Sequence, residues 1–214
     1  MARELPPDQV LYYFQNDLGN IADYNVFHER WLTEESRRYD EHIRSDTDID
    51  WDRYGNRRGL SASFTMRFPQ LGRHALVVYI YSLLEDSLNQ FCLAVRRERK
   101  LAAELTDAKG KGIRRAKHYI VKNTDINFPT GTRQWQIACD MGLLRDKLVH
   151  TLGHLESKKD KHLRKVTSVT PGLSTVSYAR EEIQIESYYI EETCRHLEHL
   201  AKLLVSAYLE AKKG

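Results

Sequence analysis

A chain of 214 residues with 41% hydrophobic and 29% charged residues is long enough to bury a sizeable core and lies well away from the disordered and membrane classes. No run approaches the roughly 18 apolar residues of a transmembrane span, and the opening M-A-R-E-L-P-P-D lacks the apolar segment of a signal peptide, so a cytoplasmic protein with no membrane partner is expected. The net charge of +3 permits nucleic-acid contact without arguing for it; Cys92, Cys139 and Cys194 are odd in number and far apart with no C-x-x-C pair, and read as reduced, buried side chains rather than a disulfide framework.

In chain order, Asp8 can cap a first helix whose apolar residues Val10, Leu11, Phe14, Leu18 and Ile21 recur largely at three- and four-residue steps and continue to Val26 and Trp31 at steps of five. The pattern thins into E-E-S-R-R-Y-D-E-H-I-R and stops near Ser45, so residues 1–45 read as an N-terminal helical extension. Residues 46–68 are turn-rich and aperiodic and read as an irregular connection. A second helix starts at Pro69, which suits a first turn, and runs to R-R-E-R-K. Its centre, Ala75 to Leu84, is apolar on nearly every face, as for a helix surrounded by others or placed at a subunit interface.

Gly110 and Gly112 flank a short basic helix, and a linker leads to a helix over Thr132 to Leu155 whose core stripe is Ile137, Met141, Leu144, Leu148, Leu152 and Leu155. The runs V-T-S-V-T, L-S-T-V-S and E-E-I-Q-I-E-S around the turn P-G alternate and suggest a small hairpin. A last amphipathic helix spans about Tyr188 to Ala211. The fold expected is mainly α, an antiparallel helical bundle with a small β-hairpin before the last helix; residues 69–214 form the helical domain, packed with the rest as one compact unit.

The chemistry centres on L-R-D-K-L-V-H-T, Leu144 to Thr151. Asp146 and His150 are four positions apart, so they share a helix face and the acid can orient the imidazole. Arg145 sits about 140° from His150 around the axis, yet its long stem can bring the guanidinium over the same groove. A histidine titrating near neutrality and an always-charged fork of donors suit phosphodiester cleavage, above all metal-independent RNA cleavage, where the 2′-hydroxyl is the nucleophile. Arginine and histidine separated by four to six residues also occur as Arg37 to His42 and Arg67 to His74, so spacing alone is weak. Only the Arg145 match is framed by packing residues, and charge on the solvated face of an amphipathic helix is the bland alternative.

The segment M-G-L-L-R-D-K-L-V-H-T-L-G-H resembles the signature helix of the HEPN superfamily, in which Arg, a polar residue, three further residues and His follow one another. F-P-Q-L-G-R-H-A-L-V-V-Y-I-Y-S-L-L-E-D-S-L-N-Q-F looks like the helix packed beside it, and G-K-G-I-R-R-A-K-H-Y-I like the connecting helix of the RiboL-PSP-HEPN-like branch. The resemblance spans roughly Met66 to Leu209. It implies a HEPN-like bundle that dimerises across a shared cleft and, in active members, a metal-independent endoribonuclease. Arg145 would then meet phosphate and transition-state charge, Asp146 would position, and His150 would serve as acid or base, with the mate's histidine taking the opposite role. Asp146 stands where Asn is common. Leu152 stands where toxins silenced by nucleotidylation carry tyrosine, so that control is not expected here.

The expectation is therefore an RNA substrate, a homodimer, no cofactor, no metal, and an antitoxin or defence-system partner. The runner-up is a noncatalytic HEPN-type dimerisation or nucleotide-binding module. A third reading, a metal-dependent hydrolase, uses Asp146, His150 and His154 as a stripe four residues apart on one helix face. Glu85, projecting from an apolar helix, and His154 are auxiliary candidates at the cleft. Lys158, Lys159, Lys161, Arg164 and Lys165, which follow the motif helix, are the candidate RNA contacts.

Overall fold

The computed structural model describes residues 4–45, 62–156, 159–177 and 180–213. Six α-helices, a π-helical turn (Ser63–Arg67), a 3-10 turn (Leu105–Asp107) and one two-stranded antiparallel sheet account for the secondary structure among them. The helices and strands are α1 (Pro7–Ser45), α2 (Phe68–Arg99), α3 (Ile113–Asn123), α4 (Arg133–Thr151), α5 (Lys161–Val169), β1 (Leu173–Ser177), β2 (Glu181–Ile185) and α6 (Ser187–Ala211). The expected mainly α bundle, with its hairpin before the last helix, is the fold observed. No described helix is long and apolar enough to cross a membrane.

Cross-links read along the helices give their directions. Glu4 lies 3.2 Å from Arg97 and Glu29 2.8 Å from Arg73, so α1 and α2 are antiparallel. Asn25 Nδ2 donates to Ser187 at the start of α6 (3.2 Å to the carbonyl, 3.0 Å to Oγ), whereas Arg99 at the end of α2 reaches the Ala211 carbonyl, so α2 and α6 run parallel. Between them the helices bury Leu11, Phe14, Leu18, Val77, Ile80, Leu84, Leu88, Phe91, Met141, Leu144, Leu197 and Leu204. Burial of each large apolar side chain contributes about 1.5–3 kcal/mol.

Three sequence expectations change. Residues 46–61 of the expected irregular connection lie outside the described residues, but the chain is helical from Ala62: a single π-helical turn, Ser63–Arg67, leads straight into α2. Phe64 packs edge-on to Phe68 at 5.3 Å, which holds that entry in place. V-T-S-V-T is not a strand; it closes α5, because Leu163, Val166 and Thr167 fall on one face and are buried. Helical spacing prevails there over β-branched propensity. Trp31, counted with the core stripe of α1, is 46% exposed.

The hairpin pairs Leu173 with Ile185 and Ser177 with Glu181. Arg73 secures it: Nε and Nη2 donate to the two Glu29 carboxylate oxygens at 2.8 Å each, while Nη1 donates to the Ile185 carbonyl at 2.7 Å. Gln70 adds a reciprocal pair on Ile185, donating to its carbonyl (2.9 Å) and accepting from its N–H (3.0 Å).

Candidate functional site

The motif helix α4 begins where Thr132 Oγ1 accepts from the Trp135 N–H at 3.3 Å, an N-cap bond. It ends at Leu152, which is left-handed (φ 54). There the Leu152 and Gly153 N–H groups donate to the Leu148 and Lys147 carbonyls, a Schellman-type closure. Met141, Leu144 and Leu148 face the core as expected. Leu152 does not; it is 74% exposed, and Leu155 is buried only after the chain has left the helix.

Arg145 is anchored rather than splayed into solvent. Its guanidinium carbon lies 5.3 Å from the centroid of the Tyr81 ring on α2, Nη1 donates to Asp146 Oδ1 at 2.8 Å, and Nε is buried with no hydrogen-bond partner. A cation over a tyrosine face is worth about 0.5–2 kcal/mol depending on desolvation. The ring reaches α4 because residue 142 is glycine: a Cβ there would stand 2.9 Å from Tyr81.

Asp146 does not orient His150. Its carboxylate is turned to Arg145, and among the described residues no hydrogen bond or ion pair reaches the exposed His150 ring. The motif thus divides into an immobilised arginine–aspartate pair against α2 and an uncommitted imidazole one turn further on. This corrects the expected Asp146–His150 contact. The cause is that Arg145, adjacent in sequence, offers the carboxylate a charge-assisted bond at no cost in helix geometry.

Glu85 belongs to the same neighbourhood. It lies one turn beyond Tyr81 on α2, and both residues face Gly112 at the head of α3: a Cβ at Gly112 would meet the Tyr81 hydroxyl at 3.0 Å and Glu85 Oε2 at 3.7 Å. Burial, with the charges of Glu85 and Asp146, pushes the Tyr81 hydroxyl above its ordinary range, while Arg145 and the backbone of Ile113 pull the other way. Tyr81 went unnoticed in the sequence because it sits in an apolar run; its signal was the glycine it packs on, which only the fold pairs with it.

His154 leaves the site. The helix ends before it, and it forms a bridge with Glu182, Nδ1 standing 3.1 Å from Glu182 Oε1. The stripe of Asp146, His150 and His154 on one helix face is therefore not formed. Among the described residues no three His, Cys, Asp or Glu side chains are arranged to hold a metal. His154 instead borders a cavity of about 830 Å³ with His74, Glu182, Val78, Tyr79, Leu148 and Leu152. Its α2 wall is the face expected to be covered: Leu71 is 64% and Tyr79 56% exposed. Burial lowers the pKa of His74, against a hydrogen bond it donates to the Ile183 backbone and the charge of Glu182.

The basic run beyond α4 is partly spent. Lys158 lies outside the described residues. Lys159 pairs with Glu156 at 3.1 Å, and Arg164 pairs with Glu181. Lys161 and Lys165 are exposed and make no ion pair among the described residues. All three cysteines are free; Cys92 and Cys194 are buried and Cys139 half-buried, and burial pushes the first two thiols up to about 12.

Set against protein-family models, curated proteins and solved structures, the chain matches none of them.

Proposed function

We propose that this is a HEPN-like, metal-independent endoribonuclease that acts as a homodimer, a cytoplasmic enzyme of the toxin or antiviral-defence kind with a cognate antitoxin or defence partner. The observation that carries the reading is an immobilised guanidinium and an uncommitted imidazole on one helix, Arg145 and His150, beside an uncovered apolar face. A second copy covering Leu71, Tyr79 and Leu152 would bring two such helices together. A stable pairing needs about 800 Å² from each partner.

In the reaction, one His150 accepts the proton of the RNA 2′-hydroxyl, whose oxygen attacks phosphorus. The bond to the 5′-oxygen breaks, and that oxygen takes a proton from the second His150, leaving a 2′,3′-cyclic phosphate and a 5′-hydroxyl. Arg145 stabilises the charge on the non-bridging oxygens. Asp146 holds Arg145, Glu85 sets the charge around Tyr81, and Lys161 and Lys165 extend the contact along the strand.

Labelled RNA incubated with the protein in EDTA tests this. Cleavage in the wild type, lost in His150→Ala and Arg145→Ala, supports it. The runner-up, a noncatalytic dimerisation or nucleotide-binding module, is favoured by the Arg145–Asp146 pair, which neutralises part of the guanidinium charge. A stable dimer that cleaves no RNA would select it, and a strict monomer in sedimentation would remove the composite site.

A further inference from the structure

Helix α1 carries a second uncovered surface on which neither the reaction nor the proposed dimer draws. Tyr13, Tyr24, Phe27 and Trp31 are 50%, 53%, 67% and 46% exposed. At 100° per residue they lie within an arc of about 60°, centred about 120° from the core-facing row of Leu11, Phe14, Leu18 and Ile21. The row is about 27 Å long. Scattered single aromatics on a surface need no explanation; four on one helix face have the composition of an interface hot spot.

The charge around the row identifies its occupant. α1 holds eight acids and four arginines in a chain whose net charge is +3. Between residues 5 and 36 the sole Lys or Arg is Arg30. Asp17, Asp23 and Glu34 stand exposed beside the aromatics and make no ion pair among the described residues. An acidic border repels phosphate, so base stacking by single-stranded nucleic acid is disfavoured. It also opposes the same face of a second copy, where like charges would meet.

We infer that this face of α1 docks a cationic amphipathic helix of a partner protein, apolar residues at i, i+3, i+4 and i+7 against the aromatic row and lysines or arginines against Asp17, Asp23 and Glu34. The inference is independent of the nuclease reading.

The probe is a fluorescent Leu/Lys amphipathic peptide of about five turns, with a Leu/Glu peptide of the same pattern and a scrambled Leu/Lys peptide as controls, read by anisotropy. The Leu/Lys helix binds, added salt weakens it, and Phe27→Ser/Trp31→Ser weakens it by about tenfold or more with an unchanged circular dichroism spectrum and Tm. Equal binding of the Leu/Glu or scrambled peptide, or undiminished binding to the double variant, overturns the inference. So does a homodimer that the double substitution dissociates in sedimentation, which would give the face to a second copy. Displacement of the peptide by single-stranded RNA would give it to nucleic acid and overturn the inference likewise.

Discussion

The Tyr81 ring lies under the Arg145 guanidinium, 5.3 Å from centroid to Cζ, and so converts a flexible surface cation into a fixed one. Tyr81→Phe keeps the ring and removes the hydroxyl beside Gly112 and Glu85; Tyr81→Leu removes the platform. RNA cleavage is expected to survive the first and to fall about tenfold in the second, a loss matching the roughly 0.5–2 kcal/mol of a cation–π contact. Equal activity in both would detach the ring from the site.

Gly142 can be tested against Gly19. Alanine in a helix interior gains up to about 1 kcal/mol over glycine. At Gly19 a Cβ meets nothing within 4 Å, so Gly19→Ala should raise Tm. At Gly142 the new methyl would stand 2.9 Å from the Tyr81 ring, and overpacking of about 1–3 kcal/mol reverses the sign. Thermal melts of the two variants should move in opposite directions.

Leu152 and Lys100 are the non-glycine residues with positive φ among those described, at 54° and 53°. Each closes a helix in a conformation that crowds its own Cβ. Leu152→Gly and Lys100→Gly should each stabilise the fold by about 0.5–1 kcal/mol, the lost strain exceeding the added freedom of the unfolded chain. A fall in the denaturation midpoint of both would contradict this.

Asp160 faces Lys147 Nζ at 2.7 Å and accepts from the Glu156 N–H at 2.6 Å. Burial raises its pKa, but the bonds from Lys147 and Glu156 outweigh that and the net shift is downward. A depressed carboxylate stabilises fully above its unfolded value, about 3.9, and the contribution is lost as pH falls through the lower folded value. Asp160→Asn should cost about 1–2 kcal/mol at neutral pH, and urea titrations below about pH 4 should show the gap from wild type closing.

His74 has the opposite sign. Its folded pKa is lowered, so the unfolded chain binds its proton first: stability should start to decline as pH falls below about 6.5 and level off below the folded value. Glu182 and His154 line the same cavity. The Tm lost between about pH 7.5 and 5.5 should be smaller in His74→Gln, since that window straddles the imidazole value.

The helices other than α5, and the hairpin, were legible because their apolar spacing is regular; α5 was not, because its β-branched V-T-S-V-T end reads as a strand. Less legible was anything decided by a partner distant in sequence. Trp31 continues the apolar run of α1 but falls about 120° from its core row and is 46% exposed. The helix was carried through His154 because Leu152 and Leu155 continue its rhythm, whereas Gly153, at φ 83, bonds to Ile183 in the hairpin instead. The Arg145–Asp146 pair could be written from adjacency, but the choice of Arg145 over His150 as partner for that carboxylate depends on where Tyr81 places the guanidinium.

A two-stranded hairpin alone is marginal in water. Here a single arginine from α2 grips a carboxylate of α1 and a carbonyl of β2 at once, and Ile183 of the same strand donates to the Gly153 carbonyl just past the motif helix. The hairpin has no stability of its own to lend; it exists as a tenant of the bundle. Arg73 and Gln70 thus tie β2 to the start of α2, and β2 ties the end of α4, so the segment carrying His150 is joined through the hairpin to the contact between α1 and α2 although more than 70 residues of sequence lie between Arg73 and His150.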